Sequence, residues 1–96
     1  MGTYPIVPER YLTLTVAIVT IDHGSREPVY LQLADILTEQ IESGELRVGR
    51  TIPSEKVLQE TYGVGRGSAR RAVMVLRERG LVDTVPQRGT FVLPHA

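Results

Sequence analysis

Cysteine is absent from this 96-residue chain, which excludes a disulfide framework and any thiolate metal site. A Walker-type G-x-x-x-x-G-K-[ST] loop is absent too, so no P-loop nucleotide site can be built. His23 and His95 lie in a linker and near the end of the chain, without partners for a triad or a metal. Catalysis, cofactors and metals are therefore not expected. Nor is there a long apolar run. "YLTLTVAIVTI" at 11–21 is interrupted by Thr13, Thr15 and Thr20, and falls short of the roughly 20 residues that span a bilayer. Arg10 stands beside Glu9 before it, and Asp22-His23 follow without a small-residue cleavage site. The run is read as neither a signal peptide nor an anchor. Internal repeats and low-complexity tracts are also missing. The length suits one small domain with one core, and the 42% hydrophobic content is ordinary for a folded chain.

A net charge is lacking as well, but the balance hides an asymmetry. Residues 1–46 hold two arginines against seven acids, whereas residues 47–96 hold nine basic side chains against four acids. A neutral protein with one basic half can still present a local field to a polyanion; the alternative is a solvated, salt-bridged surface.

The alternation of Leu12, Leu14, Val16 and Ile18 with Thr13 and Thr15, followed by Ala17, Val19 and Ile21, predicts a strand over 12–21. Its second half is apolar on both faces and calls for cover from another chain. "DHGSRE" (22–27) is a turn-rich linker, and Pro28 can open a helix. From 29 to 43, Tyr30, Leu33, Ala34, Leu37 and Ile41 fall on one helical face, with Gly44 at the end. "RVGRTIP" (47–53) connects to a second helix capped by Ser54, with Glu55 in its first turn and Val57, Leu58 and Tyr62 turned inward until Gly63. A third helix runs from about Arg66 to Arg79, burying Ala69, Ala72, Val73 and Leu76. "LVDTV" and "GTFVL" around "PQR" read as a hairpin. The predicted fold is mainly α with a small β-sheet: a winged helix-turn-helix of three helices and a hairpin wing, with an extra N-terminal strand.

"YGVGRGSARRAV" (62–73) resembles a G-x-G-x-x-G nucleotide loop at first sight. That loop must follow a buried strand, and here the preceding "SEKVLQETY" has helical spacing. Two helices joined by a short glycine-containing turn, "GVGR", instead make a helix-turn-helix, with Val64 pointing into the core. The second helix of such a unit offers its first residues to the major groove, where Arg can bond guanine O6 and N7 together. Arg66 and Arg70, four apart, share one face. Gly67 and Ser68 keep the bulk low. Arg71, Arg77 and Arg79 read as solvated surface charges or phosphate contacts, and Tyr62 as a core aromatic.

The ordered series P-x-Y-x-Q, I-x-x-G-x-L, P-S-E, G-V-x-R, R-x-A and R-G-T-F-V, from Pro28 to Val92, resembles the DNA-binding domain of the GntR family of bacterial transcription regulators. "PVYLQLAD" is most similar to the HutC- and YtrA-like branches. The resemblance implies operator DNA as partner and no cofactor. It implies Ser54 and Lys56 at a DNA-facing helix start, with Lys56 on phosphate or base. Arg66 and Arg70 fall on the family's base readers, and Gly67, Ser68 and Arg71 lie beside them. Gln87, Arg88, Gly89 and Thr90 fall on the wing tip, in or along the minor groove, with Thr90 reaching phosphate. Three departures stand out. Gly65 replaces the usual Ser or Thr, and Val48-Gly49 replaces Pro-Gly, which implies a looser connector. The family's usual C-terminal effector domain lies outside these 96 residues, so either a stand-alone DNA-binding protein or a fragment is expected.

The expected organisation is a strand and linker at 1–27 as candidate dimerisation element, the DNA-binding domain at 28–93 and a disordered tail at 94–96. The expected function is a sequence-specific transcription regulator of repressor type, not an enzyme, working as a homodimer through 12–21 in the bacterial cytoplasm. No membrane partner and no small-molecule effector within this chain are expected. The alternatives are the reading head of a larger ligand-responsive regulator, as in the aminotransferase-like MocR branch, and a winged-helix protein-interaction module. The start of the third helix, with Gly65 and Gly67 flanking Arg66, is expected to be pliable and to tighten on DNA.

Overall fold

The computed structural model describes residues 21–95. Three helices and a hairpin follow in order: α1 (Val29–Glu42), α2 (Glu55–Tyr62), α3 (Arg66–Glu78), β1 (Val82–Val85) and β2 (Gly89–Val92). This is the winged helix-turn-helix arrangement that the periodicity predicts. Of the strand expected at 12–21, residues 12–20 lie outside the described residues; Ile21 is described, outside regular secondary structure, and its side chain is buried.

Pro28 caps α1, and its carbonyl accepts from the N–H groups of Leu31 at 3.0 Å and Gln32 at 3.1 Å. The linker before it is held by one side chain. Gln32 Oε1 accepts from the Asp22 N–H at 2.8 Å, while its Nε2 donates to the carbonyls of Asp22 and Glu27, both at 2.9 Å. Leu33, Ala34, Leu37 and Ile41 form the buried stripe of α1. With Leu58, Val64, Leu76, Val82 and Val92 they make one continuous core. Each fully buried leucine stabilises that core by about 1.5–3 kcal/mol relative to an exposed one.

Ser54 begins α2 as the residue type suggests, its Oγ accepting from the Val57 N–H at 3.2 Å. Leu58 is fully buried and Tyr62 partly so, its hydroxyl accepting from Gln40 Nε2 at 3.3 Å. Val57, expected inward, is 45% exposed. An eight-residue helix meets its neighbours along one narrow stripe. Residue 57 lies about 100° round the axis from Leu58, on the side away from Tyr62. Gly63, at φ 66, stops the helix by adopting the left-handed conformation. Val64 then drops into the core and α3 begins two residues later. Ala69, Ala72, Val73 and Leu76 are buried as expected, packing α3 mainly on α1 and also on α2.

The hairpin pairs Val82 with Val92, Asp83 with Phe91, Thr84 with Thr90 and Val85 with Gly89. Its turn closes by the Arg88 N–H donating to the Val85 carbonyl at 3.0 Å, with Gln87 at φ 65. The connector is firmly attached, not loose as its Val48-Gly49 suggested. The N–H groups of Gly49 and Ile52 donate to the carbonyls of Val92 and Thr90, and the Val92 N–H donates to the Arg50 carbonyl, all at 2.9 Å. Residues 49–52 thus lie bonded along the edge of β2, with an isolated antiparallel bridge between Thr51 and Phe91. Gly89 is fixed by this contact. Its φ is +126, and a Cβ there would lie 3.0 Å from Thr51 Cγ2.

Candidate nucleic-acid interface

Opposite its buried stripe, α3 exposes Arg66, Gly67, Arg70, Arg71 and Met74. The flank toward α2 carries Arg66 and Arg70, one turn apart. Arg70 Nε lies 3.7 Å from Glu55 Oε1, so the first turn of α2 supplies a carboxylate that draws this guanidinium toward it. Arg70 is exposed and Glu55 half-buried, and a pair so open to solvent adds little stability; its effect is on where Arg70 points. Arg66 has no hydrogen-bond or ion-pair partner among the described residues. About 100° further round, on the flank toward α1, Arg71 lies over the Tyr30 ring at 4.1 Å from its centroid.

The basic residues nearer the C-terminus of α3 belong to the fold. Arg77 Nη2 donates to Thr84 Oγ1 at 3.0 Å, fixing the hairpin to the helix. Arg79 donates to Thr38 Oγ1 at 2.9 Å and pairs with Asp35 at 3.0 Å, fixing the helix end to α1. The sequence left open whether these two were surface charges or phosphate contacts; the structure gives both a tether within the domain.

The beginning of α3 departs from ordinary helix chemistry. Gly65 stands at the N-cap without a side-chain acceptor, and the first turn has no acid. Gly65 has an ordinary φ of −77. A Cβ at either Gly65 or Gly67 would meet nothing within 4 Å. The fold therefore does not require either glycine. Gly67 sits in the middle of the exposed face, where a missing side chain leaves the helix backbone open to close approach.

The other predicted site residues fall into two groups. Ser54 and Lys56 flank Glu55, the partner of Arg70, in the chain; Lys56 is exposed, whereas the Ser54 hydroxyl is engaged in its cap. Gln87, Arg88 and Gly89 are exposed at the wing tip. Thr90 is half-buried, its Oγ1 3.0 Å from that of Thr84, in line with Arg77. Ser68 is half-buried at the first turn of α3. Three contributors were missed by sequence reasoning. The sequence reading gives Glu55 only a favourable place in the first turn of α2, although an acid facing a basic helix is a readable signal. Tyr30 was assigned to the buried stripe, and Gln32 was not singled out. No local pattern announces contacts that link residues so far apart in the chain.

The fold and this exposed basic helix define a winged helix-turn-helix protein with an unspent cationic surface. Residues 29–92 match the family of bacterial regulatory proteins of the gntR type, and the chain belongs to that family. Among curated relatives, the mannosyl-D-glycerate transport/metabolism system repressor MngR of Escherichia coli (strain K12) is 39% identical over 66 residues. That match covers 69% of this chain and 28% of the relative, so the chain spans under a third of MngR's length. Among solved structures, the AraR DNA-binding domain in complex with operator ORX1 superposes with a TM-score of 0.71 at 29% identity, covering 77% of this chain and 94% of that one. YtrA from Sulfolobus acidocaldarius, a GntR-family transcription factor, gives a TM-score of 0.73 at 33% identity, covering 82% and 83%. The similarity to YtrA accords with the branch suggested by "PVYLQLAD".

Proposed function

We propose that this chain is the DNA-reading part of a sequence-specific transcription regulator of repressor type. The observation that carries the reading is the exposed face of α3. Arg66 and Arg70 share one flank, Arg66 without a partner among the described residues and Arg70 facing only the carboxylate of Glu55, and Gly67 on the adjoining exposed face leaves room for the edge of a base pair. In the major groove that flank reads guanine through its O6 and N7 acceptors. Lys56 neutralises phosphate from the start of α2. The wing tip at Gln87, Arg88 and Gly89 follows the minor groove, with Thr90 at its base. A named repressor among the relatives and an operator complex among the solved structures support the same assignment.

A single reading head contributes limited affinity, and paired half-sites about one DNA turn apart are the usual remedy. The working form is accordingly a homodimer on double-stranded operator DNA in the bacterial cytoplasm. The apolar strand expected at 12–21 is the element assigned to dimerisation. Removing residues 1–22 and measuring mass by light scattering tests this; a dimer that survives the deletion excludes that strand as the contact.

Selection of bound sequences from random duplex DNA tests the function directly. A defined motif with two half-sites is expected. On that motif, Lys56→Ala weakens selected and scrambled duplexes alike. Enrichment of no sequence would refute specific reading.

A further inference from the structure

The arginines of α3 and its C-cap differ in what holds them. Arg70, Arg77 and Arg79 each face an oxygen of the protein, from Glu55, Thr84, or Asp35 with Thr38. Arg71 faces a ring. Its guanidinium lies over Tyr30 at 4.1 Å, and none of its N–H groups has a hydrogen-bond or ion-pair partner among the described residues. A guanidinium held over an aromatic face is attracted by the ring without using its N–H donors. The group is therefore held and still unspent.

Tyr30 is itself well supported. It is half-buried in the first turn of α1, two residues before Gln32, whose amide ties that turn to the backbone at Asp22 and Glu27. The ring that holds Arg71 thus stands on a fixed helix end. Position then sets the ligand. A helix lying in a major groove has base edges in front of it and a wall of phosphates on either flank. Arg71 rises from the exposed face about 100° round the axis from Arg70, one turn after Gly67, and the Tyr30 ring draws its guanidinium toward the α1 flank.

We propose that Arg71, held by Tyr30, is a dedicated phosphate clamp: its planar fork takes one backbone phosphate on the α1 side of α3, while Arg66 and Arg70 read bases from the α2 side. The clamp rests on the DNA-binding function above and adds a division of labour to it. Arg71 supplies charge and register with no sequence preference, through the two-point hydrogen bonding that guanidinium and phosphate share. Tyr30 is a positioning residue that acts through Arg71.

Fluorescence anisotropy over a salt series, with one duplex selected from random DNA and one scrambled duplex of the same composition, tests the clamp. Arg71→Gln is expected to weaken both duplexes by the same factor and to reduce the slope of log affinity against log salt by about 0.9 per bound protomer. A fourfold rise in salt then costs the variant about 3.5-fold less affinity than it costs the wild type. Tyr30→Leu weakens both duplexes equally, and in combination with Arg71→Gln it costs nothing further. Tyr30→Phe, which keeps the ring, binds as the wild type does. An unchanged salt slope in Arg71→Gln, a loss confined to the selected duplex, or additive losses in the double variant each overturn the clamp. Thermal melts confirm folding, and the exposed Arg71→Gln change remains decisive if Tyr30→Leu does not fold. Wild-type protein that binds neither duplex in a salt-dependent way refutes DNA binding itself, a result distinct from failure of the clamp.

Discussion

Only three residues separate the end of α2 from the start of α3, yet the two helix starts are built on opposite rules. At α2, Ser54 caps the helix through its hydroxyl and Glu55 places a negative charge in the first turn. Both favour the helix, by the capping hydrogen bond and by the macrodipole. At α3, the cap is a glycine without an acceptor, Arg66 puts a positive charge at the positive end of the dipole, and Gly67 weakens the first turn. Neither glycine answers a demand of the backbone or of packing. Local rules broken without a structural reason are expected where a protein meets its ligand. One helix start is built for stability, and the other forgoes stability with no structural return.

Five experiments bear on that contrast. The largest effect is expected at the α3 start on binding: Arg66→Ala and Arg70→Ala each cost about 1–3 kcal/mol on the selected DNA and relax its specificity. Both proteins should melt near the wild-type temperature. Equal losses on selected and random DNA for Arg66→Ala would remove it from the base readers. Next comes the α2 start on stability, where Ser54→Ala should destabilise by about 1 kcal/mol. For a domain of this size that lowers the melting temperature by roughly 4–8 °C. Gly67→Ala reverses the sign: up to about 0.5–1 kcal/mol of added stability, from the helix preference of alanine, together with weaker binding to the selected duplex. If stability and affinity rise together, Gly67 is not there for close approach. Smallest is Gly65→Ser, worth a few tenths of a kcal/mol. In the free wild-type protein, amides at 65–68 should exchange fast and become protected on DNA. Slow exchange without DNA contradicts a pliable helix start.

Much of this was legible in the sequence because helical burial leaves a period. Leu33, Ala34, Leu37 and Ile41 on α1, and Ala69, Ala72, Val73 and Leu76 on α3, are buried as the spacing requires. Val57 shows where a period misleads: on a helix of eight residues, one apolar position too many cannot be assigned a face by spacing alone. The pairing of residues 49–52 with β2 was not legible, because it is made by backbone groups that every residue type carries. The site divides in the same way. Spacing put Arg66 and Arg70 on one face, whereas the sorting of the other arginines depends on Tyr30, Asp35, Thr38 and Thr84. Those partners come from other elements, and only the folded arrangement brings them close.

The backbone ladder between residues 49–52 and β2 has a mechanical meaning. It makes the wing a lever whose fulcrum is the connector. Ile52, bonded to Thr90, is followed by Pro53 and then by Ser54, the cap of α2. A load on the tip at Gln87 and Arg88 cannot tilt the hairpin without straining these bonds or drawing Ile52 along. Beyond Ser54 the next side chain is Glu55, which holds Arg70. On the proposed function, seating the wing against a duplex would therefore pull on the same short stretch of chain that carries Glu55, the partner of the proposed reader Arg70.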